Sequence, residues 1–467
     1  MASIVNTVIP PTLNFKTVEK ASPSYTYLKV PINSIPSGKF DLSFTAQTLI
    51  DFKLPNKVVN LARSYLGYVN TYAAEGAGAN AWVPEDTTDL GIANTSLMST
   101  QGFDVMNLNY TTNFLKIGAK LGTSRKDIID NGPIGDGLYL NNQITGNNYY
   151  PVPIAVQANN VYNIPAGNKI LALQNTNEVQ YLSTTSGVAV GLVKCRQFPL
   201  SFFKDTILSL DKDVYFGPEA DMFLRMMVGG NKCGFNSVIQ TDPNSTPLPL
   251  IQANSTITDM YLYLCVENNP QVIESVMDNF HRNKLIVQIP YTVAIKTNSP
   301  ASTVDNVTIQ LTKNNGKYLK KIVHTLWNGT EAANTNFDMS NWNASKIQTY
   351  NTYLDATQLQ PQLVNCSQPI PGALNSNDYA LNKRIMRDSA LVGLSQYQVN
   401  WFHCDMFYDD AQSDRLEGNN LSQGLPMNDN HTWQFAGTSA LATTINNYTF
   451  ITYSRDLLVN STGLSYV

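Results

Sequence analysis

The densest grouping of chemistry-bearing side chains is WFHCDMFYDD (401–410). On a strand, His403 and Asp405 share one face and Asp409 and Asp410 follow at its end, a set that could hold a metal or act as an acid–base pair. Apolar residues nevertheless occupy both strand faces (Trp401, Phe402, Met406, Phe407), so the stronger reading is a central core strand whose polar members hydrogen-bond to their neighbours. The other histidines, His281, His324 and His431, are scattered along the chain. GGNKCGF (229–235) places Lys232 between its glycines and lacks the Lys-Ser/Thr pair of a phosphate loop. GAG (76–78) and GPIGDG (132–137) precede no helix whose N-terminus could receive a pyrophosphate, and read as turns. H-E-x-x-H and G-x-S-x-G do not occur. The expectation is a protein that is not an enzyme, with no catalytic, cofactor-binding or metal residues; a β-rich hydrolase built on His403, Asp405 and Asp410 is the rival it displaces.

The five cysteines (Cys195, Cys233, Cys265, Cys366, Cys404) lie far apart and read as reduced, mostly buried thiols rather than a disulfide framework. N-x-[ST] sequons recur, among them Asn94, Asn109, Asn244, Asn254, Asn306, Asn328, Asn430, Asn447 and Asn460. With about 52 Asn and about 41 Thr in 467 residues, many arise by composition alone, and Asn109 and Asn447 fall within predicted strands. Tyr149, Tyr150, Tyr261 and Tyr263 could line a sugar site but equally suit strand faces and protein interfaces. Lys and Arg number 31 against 35 Asp and Glu, a net charge of -4, which leaves no surplus for a phosphate backbone. From residue 1 to 40 the charged side chains are Lys16, Glu19, Lys20, Lys29 and Lys39. Direct sequence-specific nucleic-acid binding is therefore not expected. The opening MASIVNTVIPPTLN has no basic n-region and no continuous apolar stretch, and does not read as a secretory signal.

Asn and Thr favour turns and strands over helix interiors, so the elements expected to position these residues are strands. Residues 1–25 read as an extended arm. Alternating strand candidates follow at 39–44, 48–55, 58–69, 107–118, 190–200, 205–210, 222–228 and 260–266, with a turn-rich excursion over about 130–177. NPQVIESVMDNF (269–280) predicts a helix, with Pro270 at its start and Val272, Val276 and Phe280 at i, i+4 spacing. Strands resume at 284–297, 304–312, 317–327, 346–355, 399–408, 431–435 and 447–459, with a second helix over 376–389. Two β-rich blocks thus flank the first helix, without a sequence repeat between them.

IDFKLPNKVVNLARSYLGY (50–68), the block FPLSFFKDTILSLDKDVYFGPEADMFLRMMVG (198–229) and MYLYLCVENNPQVIESV (260–276) resemble the first domain of double jelly-roll major capsid proteins. TYLDATQLQ (352–360), DYALNKRIMRDSALVGLSQYQVNWFHCDMF (378–407) and YTFITYSRDLLV (448–459) resemble the second. The lineage is that of virophages, polinton-like viruses, nucleocytoplasmic large DNA viruses and adenoviruses. The resemblance implies an all-β fold of two consecutive eight-stranded antiparallel jelly rolls, at 26–268 and 284–467. It further implies a linker helix at 269–283 and an N-terminal arm at 1–25 that reaches under neighbours. As function it implies homotrimeric, pseudo-hexagonal capsomers tiling the icosahedral shell of a double-stranded DNA virus. The partners implied are other copies of the chain, penton and minor capsid proteins and an internal membrane; no cofactor is implied. The alternatives are a secreted β-sandwich adhesin or carbohydrate-binding protein, and a non-capsid scaffold of the same fold.

Overall fold

A computed structural model describes residues 23–43, 46–72, 81–84, 90–115, 180–181, 192–230, 235–237, 255–283, 285–328, 347–355, 357–365, 368–369, 402–407, 424–461 and 463–467. In the N-terminal part, eight strands carry the framework: β1 Tyr25–Pro31, β2 Gln47–Lys53, β3 Val59–Tyr72, β4 Asn94–Ser99, β5 Asp104–Asn109, β6 Leu192–Pro199, β7 Met222–Gly229 and β8 Ser255–Glu267. Their antiparallel pairing is nested. The first strand pairs with the eighth, the second with the seventh, the third with the sixth and the fourth with the fifth. This is one long hairpin of four stacked pairs. It rolls up so that β3 meets β8 and β4 meets β7, giving the sheets β1-β8-β3-β6 and β2-β7-β4-β5, the two-sheet arrangement of a jelly roll. Period-2 alternation sends Ile50, Phe52, Leu224 and Met226 of one sheet against Leu66, Leu262 and Leu264 of the other, all buried.

Helix α1 (Pro270–His281) follows. The Asn269 side chain caps it by accepting the Gln271 N–H at 3.0 Å, and Pro270 occupies the first turn, where its missing N–H costs nothing. Phe280 is its one fully buried side chain and meets the Tyr215 ring edge-on at 5.1 Å. Gly217, at φ +86°, lies so close under Phe280 that a Cβ there would sit 3.2 Å from the ring.

The C-terminal part contains β9 Leu285–Leu311, β10 Tyr318–Asn328, β11 Ile347–Leu354, β12 Thr357–Asn365, β13 Phe402–Met406 and β14 His431–Asn460. Strand β9 runs along β14 from Leu285↔Val459 to Leu311↔His431, with register shifts between Ser299 and Val304. Counting each long strand as two successive ones restores the same nested scheme. The first half of β9 pairs with the last half of β14, the second half of β9 with the first half of β14, β10 with β13 and β11 with β12. The roll then closes by β14 against β10 and β11. The two parts of the chain, which share no sequence repeat, therefore share a pairing topology.

Several sequence expectations change. The two strands expected over 284–297 and 304–312 are the single strand Leu285–Leu311, and those over 431–435 and 447–459 the single strand His431–Asn460, whose mutual pairing resumes after register shifts between Ser299 and Val304. DTILSL (205–210) is not a strand: Asp205 sits at φ 58°, the Thr206 hydroxyl accepts the Leu208 N–H and donates to the Phe203 carbonyl, and Ile207–Ser209 closes as a 3-10 turn. The strand expected over 107–118 stops at Asn109, where Tyr110 turns to φ 55° and 111–115 are helical. Strand β1 was not anticipated, since four successive residues of it are exposed and no alternation marks it. Residues 1–22, the 130–177 excursion and the helix expected over 376–389 lie outside the described residues.

Candidate assembly surfaces

The catalytic candidates resolve into packing. Asp405 on β13 is only 2% exposed; its Oδ2 accepts the Trp433 Nε1–H at 2.8 Å and its Oδ1 the Thr352 hydroxyl at 3.3 Å. Both carboxyl oxygens thereby have hydrogen-bond partners, as burial of polar atoms demands. Buried His324 lies with Nδ1 2.8 Å from the Thr449 hydroxyl, its ring 4.5 Å from that of Phe435 and 5.3 Å from that of Trp433. His403 stands opposite His324 in the β13–β10 register. Contrary to expectation, β13 is not central: among the described residues it ends its sheet, next to β10 alone. His431 pairs with Asp355 at 2.6 Å, which holds the Asp355 carboxyl below its usual range, and His281 packs on Phe280 at the end of α1. Among the described residues, no three His, Cys, Asp or Glu side chains group as metal ligands. Asp409, Asp410, Lys232 and the glycines of 76–78 and 132–137 lie outside them. Cys265 is free and buried, its thiol pushed up to about 11 chiefly by burial. Of the sequons, Asn447 is fully buried and donates to the Asp305 carboxylate, a position no glycan could occupy.

What the structure does assemble is a seam between the two rolls. Phe114 packs against Phe450 (ring centroids 5.3 Å apart) and Tyr110 against Tyr448 (5.1 Å), so one apolar cluster runs from Leu264 and Met226 through Phe280 to Val287, Phe450 and Val459. Asp205, displaced from the extended strand path by its positive φ, forms an ion pair with Lys321, and its carbonyl accepts the Thr292 hydroxyl at 2.8 Å. At the C-terminus, Gly463–Tyr466 pairs with β14, and the Tyr466 hydroxyl donates to the Asp104 carbonyl at 2.5 Å while its ring meets Phe103 at 4.8 Å. Arg455 lies over the rings of both Tyr291 and Tyr466. The ring pairs Phe114–Phe450 and Tyr110–Tyr448, the Asp205 contacts and the Tyr466–Asp104 bond had no local sequence signal, because each joins residues more than 85 positions apart.

The outward face of the β1-β8-β3-β6 sheet is rich in tyrosine. Tyr65 and Tyr263 stack at 4.9 Å, Tyr27 leans on Tyr65 at 5.5 Å, and Lys29 lies over Tyr261. Tyr263 also covers Gly67, whose Cβ would come within 2.7 Å of its ring; the glycine makes room for the aromatic side chain and the aromatic side chain covers the glycine. Beside it, a bulge in β3 between Asn60 and Tyr65 is closed by Ser64, whose hydroxyl donates to the Asn60 carbonyl and accepts the Cys265 N–H. The bulge carries Arg63 over the Tyr25 ring and into a two-bond pair with Asp211 at 2.8 and 3.0 Å. That pair holds the Asp211 carboxyl below its usual range. Tyr25, pushed up to about 12 by burial and by Asp213, keeps its proton and donates to Asp213 at 3.0 Å. Glu267, 2% exposed, accepts the N–H groups of Ser24, Asn268 and Asn269 on one oxygen at 2.7–2.9 Å, tying the base of the N-terminal segment to the start of α1.

No protein-family model and no curated protein matches the sequence. Solved structures do. A chain of the Sputnik virophage is 11% identical over 98% of this chain and 92% of its own, with a TM-score of 0.51. The mavirus major capsid protein is 11% identical over 96% of this chain and 91% of its own, with a TM-score of 0.50. At this identity the likeness is one of fold: the chain has the all-β, double jelly-roll architecture of these viral chains, end to end.

Proposed function

We propose that the chain is a major capsid protein whose homotrimers tile the shell of an icosahedral double-stranded DNA virus. The observation that carries this reading is the repeated nested pairing, two rolls of one topology joined by a common core. Three copies present six similar wedges, and six wedges around one axis give a near-hexagonal block that packs a flat facet. The rolls are proposed as units at 26–268 and 284–467, with 269–283 joining them. The mavirus protein of the same fold is itself a major capsid protein, which supports the assignment, as does the absence of a basic surplus from a subunit that need not hold nucleic acid. The role is one of association, not catalysis: Asp405 and His324 are committed to core packing. Penton and minor capsid proteins and an internal membrane are the further partners proposed.

The test is mass measurement with electron microscopy of the purified protein. Three chains of 51.6 kDa give about 155 kDa, and particles of that mass with a six-sided outline are expected. A smooth monomer of about 52 kDa at micromolar concentration refutes the proposal.

A further inference from the structure

The nested pairing sorts the connections of the first roll by end. The long ones that leave β3, β5 and β7 depart where Tyr72 faces Ser255 and Leu192, and where Asn94 faces Asn109 and Met227. The turn between β2 and β3 and the segment before β7 lie at the opposite end, which is also the end of α1. Between them opens a cleft of about 360 Å³, at the small end of the range of about 300–1,000 Å³ for ligand sites. Its apolar walls are Leu54 and Pro55 from the turn and Phe216, Pro218 and Met222 from the facing segment. The Leu54 N–H donates to the Met222 carbonyl at 2.8 Å, the two prolines restrict the backbone on either side, and Gly217 turns at φ +86° beneath the Phe280 ring.

Three charged side chains line this cleft. Lys53 and Asp221 satisfy each other at 2.9 Å. The exposed Lys57 ammonium has no hydrogen bond or ion pair among the described residues, and Glu219, close by in sequence, does not line the cleft. Apolar walls, one internally matched ion pair and one unmatched cation suit a ligand with a single negative charge on an apolar body. A phosphate monoester carries about 1.5–2 negative charges near pH 7, and its excess would meet Asp221. A bare anion would leave Pro55, Phe216 and Pro218 without a partner. We propose that the cleft binds a small carboxylic acid, with its carboxylate on Lys57 and its apolar body against Pro55, Phe216 and Pro218. Because the cleft joins the β2–β3 turn to the segment that supports Phe280, an occupant stabilises the junction of the first roll with α1 by mass action. Every group involved comes from one chain, so binding is independent of how copies associate.

The test is ligand-observed saturation-transfer NMR on the full-length protein, with phenylacetate as probe, phenylethanol as its uncharged counterpart and acetate as its counterpart without a body. Transfer to phenylacetate is expected, and each counterpart should bind at least about 5-fold more weakly. Lys57→Gln should weaken phenylacetate binding about 5-fold or more, and Lys313→Gln, at an exposed lysine outside the cleft, should leave it unchanged. On irradiation, a diazirine-bearing phenylacetate should label the tryptic peptides Leu54–Lys57 or Asp213–Arg225. Absence of transfer, equal binding of acetate or of the alcohol, insensitivity to Lys57→Gln, or labelling confined to other peptides overturns the proposal.

Discussion

The Phe114–Phe450 contact allows the unity of the two rolls to be measured. Phe450→Ala removes a fully buried ring that faces Phe114 across the seam at 5.3 Å, a truncation that costs about 3–5 kcal/mol. The entropy of unfolding near the midpoint is about 2.1 cal/mol/K per residue. If all 467 residues unfold together it totals about 1 kcal/mol/K, and a loss of about 4 kcal/mol lowers Tm by about 4 °C. If the second roll, about 180 residues, unfolds alone, the total is about 0.4 kcal/mol/K and its Tm falls by about 10 °C while the other transition stays in place. The continuous apolar cluster predicts the first outcome: one calorimetric transition, shifted by about 4 °C. The double variant with Phe114→Ala should then show a coupling of about 0.5–1.5 kcal/mol. Two transitions, only one of them moved, with no coupling, would refute the shared core.

Gly316 is extended, yet a Cβ there would lie 2.5 Å from the Tyr453 Cβ and 2.8 Å from the Ser454 carbonyl oxygen; Gly316→Ala should cost about 1–3 kcal/mol or more, read by urea unfolding. The Arg63–Asp211 pair is about half exposed, so Arg63→Ala should cost about 1 kcal/mol or less at low salt, and less as salt rises. Because the folded Asp211 carboxyl lies below its ordinary 3.8, the pair's contribution is present above that value and is lost as pH falls through the lower folded one, so the Arg63→Ala difference should vanish in acid. Cys265, with its thiol raised to about 11, should resist a thiol reagent at pH 8 in the native protein and react in urea, as peptide mapping would show; its contribution to stability is fully present below the unfolded value of 9.0 and is lost as pH rises from there through the folded value of about 11.

Alternation made most long strands legible, and capping chemistry made α1 legible to within a residue at either end. Nested pairing was not, because nothing local to Tyr25 indicates that Glu267, 242 residues on, will lie beside it. The two longest strands looked like four because polar residues interrupt each near its middle, where the ladder itself slips at Ser299–Val304. DTILSL alternates as a strand does, but the Thr206 hydroxyl competes for the backbone and wins. At the candidate surfaces, Tyr261 and Tyr263 were noticeable as tyrosines, whereas the bulge that projects Arg63 and the seam contacts of Asp205 and Tyr466 depend on register and fold closure.

Strands β9 and β14 run side by side for most of their length, with no loop between the two halves of either. Under tension a corner made of a loop stretches first. Here the connection is strand backbone paired on either side of a register shift, about 90 Å of contour along β9. Pulled along the strands, the ladder shears, loading its rungs in parallel rather than peeling them one at a time. Pulled in that direction, the second roll should yield first at the register shifts near Ser299–Val304, an outcome that force spectroscopy along the strands would read.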